Sequence, residues 1–213
     1  PNKSTSTSLT SLVEYLSLGN VDKVVLRVCH ITFDTSGGAG IAACRIVDAL
    51  EQSGQVSQSR LFFGRGDACG WRRLSLPSKT SIKWHLKRLA VSAAKKAASQ
   101  PAEPLSFAHF GRLATLPQDA LDADVVHFHW AGGGLFDFKS IARNWPQKLP
   151  LVWTLHDLNP VMACGHYLQE RNVQWSRALE DRWFNLFGRR IVTSSLRAKR
   201  ALFGAAEVHL VGT

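Results

Sequence analysis

The chain has 213 residues, of which 45% are hydrophobic and 20% are charged, so it can bury a core as one large domain. No apolar run approaches the roughly 18 residues of a membrane-spanning helix, and no signal peptide opens the sequence. The cysteines form no CxxC pair and no metal-ligand spacing, which favours a reduced, cytoplasmic protein. They are Cys29, Cys44, Cys69 and Cys164.

The net charge of +10 is concentrated in one segment. Residues 60–100 contain ten Lys or Arg against a single acid, Asp67. Within this segment, residues 81–98 are predicted to form a helix with an apolar stripe on one side and basic residues on the other. Two interpretations remain open: a core-packed helix with a solvated basic side, or a helix that contacts an anionic membrane surface. Nucleic acid is not expected as a partner, because no binding motif accompanies the charge.

The first strong pattern along the chain predicts a strand, a glycine-rich loop and a helix. Residues 1–20 are predicted to be a disordered or lead-in segment, and residues 21–213 are predicted to form the folded domain. A strand at 24–31 leads into SGGAG and then into a helix at 39–51. Glycines allow close backbone approach and a helix start attracts anions, so Gly37 and Gly38 are candidates for contacting a phosphate. The loop is neither GxGxxG nor a P-loop, and a glycine turn that only packs helix on strand is the alternative.

The remaining elements predict an α/β fold with an open parallel sheet flanked by helices. Strand, helix, strand over residues 124–155 indicates a βαβ unit with a right-handed crossover. Ligands bind at the carboxyl ends of such strands, where this sequence has His129 and Trp130, then His156 and Asp157. Predicted strands lie at 56–64, 106–110, 124–130, 151–155, 191–195 and from 208 onward. Predicted helices lie at 136–145, 175–187 and 196–203.

Several histidines near these strand ends have competing interpretations. His127 and His129 are two residues apart and should share one face of their strand. His127 lies further from the strand end and is predicted to be a core histidine, whereas His129 and Trp130 either pack or line a cleft. A zinc site is conceivable, but no tight ligand spacing supports it, so no metal ligand is predicted. Its members would be His127, His129, His156 and Cys164.

The order of four motifs carries a resemblance to a known family. SGGAG after the first strand, DVVHFHW, LVWTLHD and IVTSS resemble the N-terminal half of family 4 (group 1) glycosyltransferases of the GT-B type. TLHDLNPVMACGHY is similar to a region of the members that build bacterial exopolysaccharide, colanic acid and lipopolysaccharide. The resemblance spans residues 23–213. It implies a Rossmann-like acceptor-binding domain, the N-terminal half of a two-domain GT-B architecture.

The resemblance also implies a reaction and roles for named residues. The reaction is retaining sugar transfer from a UDP- or GDP-linked donor to a saccharide or lipid-linked acceptor, on the cytoplasmic face of the membrane and without a cofactor. His156 and Asp157 are the candidate catalytic residues, with His156 a stabiliser first and a base second. The candidate acceptor-binding residues are His129, Trp130, His166 and Tyr167.

The donor-binding half expected from this family is absent from the 213 residues. No two Glu residues have the Glu-x7-Glu spacing of the nucleotide-sugar domain, and the sequence stops within a predicted strand. We therefore expect no turnover from this polypeptide alone. The alternative function is a non-catalytic Rossmann-like module that binds an anionic ligand or a protein partner.

Overall fold

A computed structural model describes residues 26–67, 70–76, 85–86, 89, 92–93, 106–109, 111–166 and 186–212. The predicted lead-in at 1–20 lies outside these ranges, as do most of the predicted helices at 81–98 and 175–187.

Strands and helices alternate along the described chain, as the sequence predicts for an α/β fold. The strands are β1 (Leu26–Asp34), β2 (Val56–Arg65), β3 (Arg72–Arg73), β4 (Val125–Phe128), β5 (Leu151–Leu155) and β6 (Val208–Gly212). The helices are α1 (Gly38–Ser53), α2 (Gln118–Leu121), α3 (Phe138–Arg143) and α4 (Leu186–Ala205).

All six strands form one open, parallel sheet in the order β3-β2-β1-β4-β5-β6. The predicted Rossmann-like α/β architecture is therefore confirmed. The strand order reverses between β1 and β4, which pair directly with His30 opposite His127. A reversal of this kind opens a crevice at the carboxyl ends of the two strands, where doubly wound sheets bind ligands.

One face of the central strands is apolar. Alternate residues of a strand point to opposite faces of the sheet, and Ile31, Phe128 and Trp153 all project into one large hydrophobic cluster. Helices α3 and α4 contact each other and add Ile141 and Leu202 to the same cluster. This apolar face is the main core of the described chain.

The opposite face of the same strands is polar near its centre. It carries His30 from β1, His127 from β4 and Thr154 from β5, all of which are buried. Helix α1 packs on the β2 side of this face, where Val47 and Leu61 belong to a small separate hydrophobic cluster. The helices thus cover both faces, but only one face is uniformly apolar.

The predicted strand at 191–195 is wrong, because those residues lie inside the 20-residue helix α4. The run Ile-Val-Thr has high strand propensity. However, Ile191, Ser195, Ala198 and Leu202 are buried at spacings of four, three and four residues, which is the period of a helix. Packing of that stripe against the core outweighs the local preference, and the separately predicted helix at 196–203 is the second half of α4.

Other boundaries also differ from the prediction. Residues 106–109 form no strand, and Ser106 instead donates its backbone N–H to the Cys164 carbonyl at 3.0 Å. β1 continues through Asp34, while β4 ends at Phe128 and leaves His129 and Trp130 in the following loop. α3 starts only after Asp137, whose side chain accepts a hydrogen bond from the Ser140 amide and so caps the helix.

Candidate functional site

The loops that follow β1, β4 and β5 lie at the same edge of the sheet. The loop after β4 is tied to β1, because the Phe33 amide donates to the Trp130 carbonyl at 2.7 Å. Gly133 in that loop has φ of 65° and lies against the Phe33 ring, where a Cβ would be 2.6 Å from ring carbons. A glycine is required there for both reasons. The candidate site residues lie in these loops, at the carboxyl edge of the sheet.

His156 follows β5 and lies against His129, which follows β4. His156 Nε2 and His129 Nδ1 are 3.5 Å apart, and the two rings stack with centroids 5.7 Å apart. His156 is half-buried, and this burial lowers its pKa while the adjacent Asp157 carboxylate partly opposes the change. The ring is neutral at neutral pH and can donate or accept a hydrogen bond.

Asp157 is occupied within its own loop. Its Oδ1 accepts from the Asn159 amide at 2.8 Å, and its Oδ2 accepts from His166 Nδ1 at 2.6 Å. Burial by itself would raise the pKa of Asp157, but hydrogen bonds from His166, the Asn159 amide and the Trp130 side chain outweigh it and lower the pKa. Asp157 is therefore an ionised carboxylate whose two oxygens both have partners in the protein.

His166 continues this chain of hydrogen bonds to Ser106. His166 Nε2 lies 2.9 Å from Ser106 Oγ, which also accepts the Gly133 amide at 3.1 Å. Asp, His and Ser stand in the order of a nucleophilic triad. However, Ser106 is only 7% exposed and its oxygen already receives the Gly133 N–H. The arrangement therefore fastens three segments together.

Lys199 of α4 forms hydrogen bonds with the loop after β5. Its buried ammonium donates to the Met162 carbonyl at 2.7 Å, to the Asn159 carbonyl, and to Asn159 Oδ1 at 3.2 Å. Burial lowers the pKa of Lys199 to about 8, and the neighbouring Cys164 and Asp157 partly oppose that change. The path of this loop therefore depends on α4.

The SGGAG run after β1 contains one glycine with a steric role, Gly40 in the first turn of α1. A Cβ at Gly37 or Gly38, the two predicted positions, would meet no atom within 4 Å, so open space adjoins both. A Cβ at Gly40 would lie 2.1 Å from the Asp34 carbonyl oxygen. Gly40 is therefore the glycine that lets α1 approach the end of β1, and the sequence prediction did not single it out.

Three buried histidines lie behind His156. His30 Nδ1 is 3.1 Å from His129 Nε2, and the rings of His127 and His129 have centroids 4.1 Å apart. The predictions that His127 is a core residue and shares a face with His129 are confirmed. Burial lowers the pKa of all three rings, and that of His127 to about 3, so all are neutral at neutral pH.

The structure changes the composition of the hypothetical zinc site. One nitrogen from each of His30, His127 and His129 lies within 4.8 Å of the other two. His156 and Cys164, which the sequence suggested, are not part of that group. His30 was missed because its proximity depends on the pairing of β1 with β4, which no local pattern specifies.

Other supporting residues were also missed, namely Ser106, Asn159 and Lys199. Each is distant in sequence from at least one of its partners, so spacing carries no signal for it. Among the predicted acceptor-binding residues, His129, Trp130 and His166 lie together at the carboxyl edge. Tyr167 lies outside the described residues.

Part of the basic segment is neutralised locally. Arg60 and Arg72 both contact Asp119 Oδ2, at 2.8 and 3.0 Å, and Arg65 lies 3.6 Å from Asp34.

Within the described ranges, no helix has both the length and the apolar character needed to cross a membrane. The free cysteines among the described residues are Cys29, Cys44 and Cys164.

No protein-family model matches the chain, and no curated protein matches it. Its function is therefore inferred from its residues and their geometry.

Proposed function

We propose that the chain is the acceptor-binding part of a retaining GT-B glycosyltransferase. It would help to pass a sugar from a UDP- or GDP-linked donor to a saccharide or lipid-linked acceptor in bacterial surface polysaccharide synthesis. The observation that carries the proposal is the half-buried, neutral His156 at the carboxyl edge of β5, next to the reversal in strand order. Open parallel sheets bind ligands at such a reversal. The resemblance of SGGAG, HFHW and TLHD to the family supports the type of reaction.

In this proposal the residues of the edge divide into two roles. His156 donates a hydrogen bond to a sugar hydroxyl or diphosphate oxygen, and secondarily accepts the acceptor proton. Gly37 and Gly38 border open space through which a phosphate can approach the start of α1. Asp157 and His166 are positioning residues, because their polar atoms are satisfied by each other, Asn159 and Ser106.

The remaining basic segment supports a peripheral location at an anionic membrane. Arg60 and Arg72 share Asp119, so the attraction would come mainly from the other basic residues of segment 60–100. Binding to liposomes should rise with the content of anionic lipid and fall as salt is added. Equal binding to neutral vesicles would remove the electrostatic contribution.

The test of the transferase is His156→Ala in the full-length product of the gene. The assay supplies UDP- and GDP-sugars with a lipid-linked saccharide and measures labelled product. We expect transfer to fall by about 10²-fold or more, the usual effect of removing an acid–base group, with an unchanged circular dichroism spectrum. His209→Ala is the matched control, because His209 lies on β6 and pairs only with Glu207 in the described part of the chain.

Two outcomes would count against the transferase. Full activity in His156→Ala would remove this residue from the mechanism. A wild-type protein that binds a sugar phosphate but transfers no sugar from either type of donor would establish the non-catalytic binding module instead.

A further inference from the structure

Three histidines are brought to one buried point by two neighbouring strands. His30 in β1 pairs with His127 in β4, so their side chains leave the sheet side by side on the same face. His129 lies two residues beyond His127, and its amide still donates to the Ile31 carbonyl at 3.0 Å, which continues the pairing. The pairing of β1 with β4, continued by this hydrogen bond, therefore positions all three rings.

The cluster also contains a buried nitrogen that has no hydrogen-bond partner in the described part of the chain. It is Nε2 of His30, a residue that is fully buried. Leaving such an atom unpaired costs free energy, and an apolar residue in its place would avoid that cost. The neutral rings also carry the free lone pairs that metal binding requires, without first releasing a proton from an imidazolium.

The orientation of one ring is already set by a neighbouring strand. Thr154 Oγ1 in β5 lies 2.7 Å from His127 Nε2, so the Nδ1 side of that ring is the side left for another contact. Metal-binding histidines are oriented in this way, by a hydrogen bond to the ring nitrogen that does not bind the metal. His156 closes the cluster on its partly exposed side, 3.5 Å from His129.

We propose that His30, His127 and His129 bind a zinc ion, with a water molecule in the fourth position. Three histidines and one open position are a known zinc ligand set. Nitrogens that share a tetrahedral zinc stand roughly 3.4 Å apart, because each zinc–nitrogen bond is about 2.0–2.1 Å long. His30 and His129 are already at 3.1 Å, and the whole group lies within 4.8 Å. Binding therefore needs side-chain shifts on the order of 1 Å.

The zinc ion would lock the two strands together where the strand order reverses. It would also fix the ring of His129, against which His156 stacks. The inference does not depend on sugar transfer, since it concerns only the chain and the metal.

The first test measures zinc in the purified full chain. After chelator treatment and dialysis against zinc sulfate, metal analysis should find one zinc per chain. Thr154→Val preserves the shape of the side chain and should weaken zinc binding by about 10- to 100-fold in a competition titration with a chelator. Thr193→Val, on the exposed face of α4, is the matched control and should bind zinc as the wild type does. Equal affinity in the two variants would overturn the assignment.

A second test avoids substitutions, so a folding defect cannot obscure it. Two-dimensional NMR of the histidine ring nitrogens in the wild-type chain, without and with one equivalent of zinc sulfate, should show large shifts for three buried rings. Unchanged ring signals after zinc addition would refute the site and leave a buried chain of histidine hydrogen bonds. Shifts only in the more exposed His85 and His209 would identify adventitious surface binding and also refute it.

Discussion

The two faces of the central strands share one backbone but differ in chemistry, because one is aromatic and the other carries buried histidines. On one face, Phe128 stacks on Phe136 at 5.2 Å and meets Trp153 edge-on at 5.4 Å. On the other, His127 and His30 occupy equally buried positions; among the described residues His30 Nε2 has no hydrogen-bond partner, and neither has Trp153 Nε1 on the aromatic face. The aromatic face gains free energy by removing apolar area from water, whereas the histidine face forgoes part of that gain.

We expect this difference to separate stability from the proposed function within one sheet. A buried polar group without a hydrogen-bond partner is uncommon in native proteins and calls for an explanation. The histidine face also continues to His129 and His156 at the carboxyl edge, while the aromatic face lies under α3 and α4. We therefore expect substitutions on the aromatic face to lower the free energy of unfolding strongly and substitutions of the histidines to change it little.

The largest effect is expected on the aromatic face. Phe128→Ala should lower the free energy of unfolding by about 3–5 kcal/mol, because it removes a fully buried ring and leaves a cavity. Urea denaturation followed by circular dichroism measures it. Phe203→Ala, at a half-buried position beside Trp153, is the control and should cost less. Equal losses would mean that the apolar face is not the principal core.

A smaller effect is expected where α1 meets the histidine face. Gly40→Ala should destabilise the protein by about 1–3 kcal/mol or more, since its Cβ would overlap the Asp34 carbonyl. Gly38→Ala, two residues earlier, adds a Cβ in open space and should change stability by no more than about 0.5 kcal/mol. Thermal unfolding of the pair measures the difference. A similar melting temperature for both variants would contradict the steric role of Gly40.

The loop beside the histidine face should give a pH signature through Lys199. Its pKa is about 8 in the folded protein and ordinarily 10.5, so the unfolded chain binds more protons between these values. Stability should therefore rise with pH through this window, by about 1 kcal/mol between pH 7 and 9. The measurement is urea denaturation of the wild type and Lys199→Met at both pH values. The Met variant should lack this increment, and an identical pH dependence would contradict the buried ammonium.

The smallest effect is expected on the histidine face without metal. His30→Leu removes the unpaired Nε2 but deprives His129 of its 3.1 Å partner, so the two changes nearly cancel. In the presence of a chelator, its free energy of unfolding should lie within about 1 kcal/mol of the wild type. A loss comparable to that of Phe128→Ala would show that the histidines contribute to stability as much as the aromatic core does.

Patterns of short range were sufficient to predict most of the fold. The apolar runs that became β1, β2, β5 and β6 and the helix after SGGAG are confirmed, because β-branched or apolar runs with a glycine or proline nearby are typical of buried strands, and the helix has an apolar face. The prediction failed at 191–195, where a β-branched run lies on the buried stripe of α4. A five-residue window cannot register that stripe, since its period becomes visible only over three helical turns.

The sequence alone determined the α/β class, the parallel sheet and the location of His129, Trp130, His156 and Asp157 at strand ends, because these follow from element order. Only the tertiary structure decided which of these side chains meet. In the structure His166 contacts both Asp157 and Ser106, Lys199 donates to the loop after β5, and His30 lies beside His127. Such contacts depend on strand order and register across residues as much as 99 positions apart. The physical reason is that sheet pairing is a non-local choice, made by burial of whole faces rather than by the residues at the point of contact.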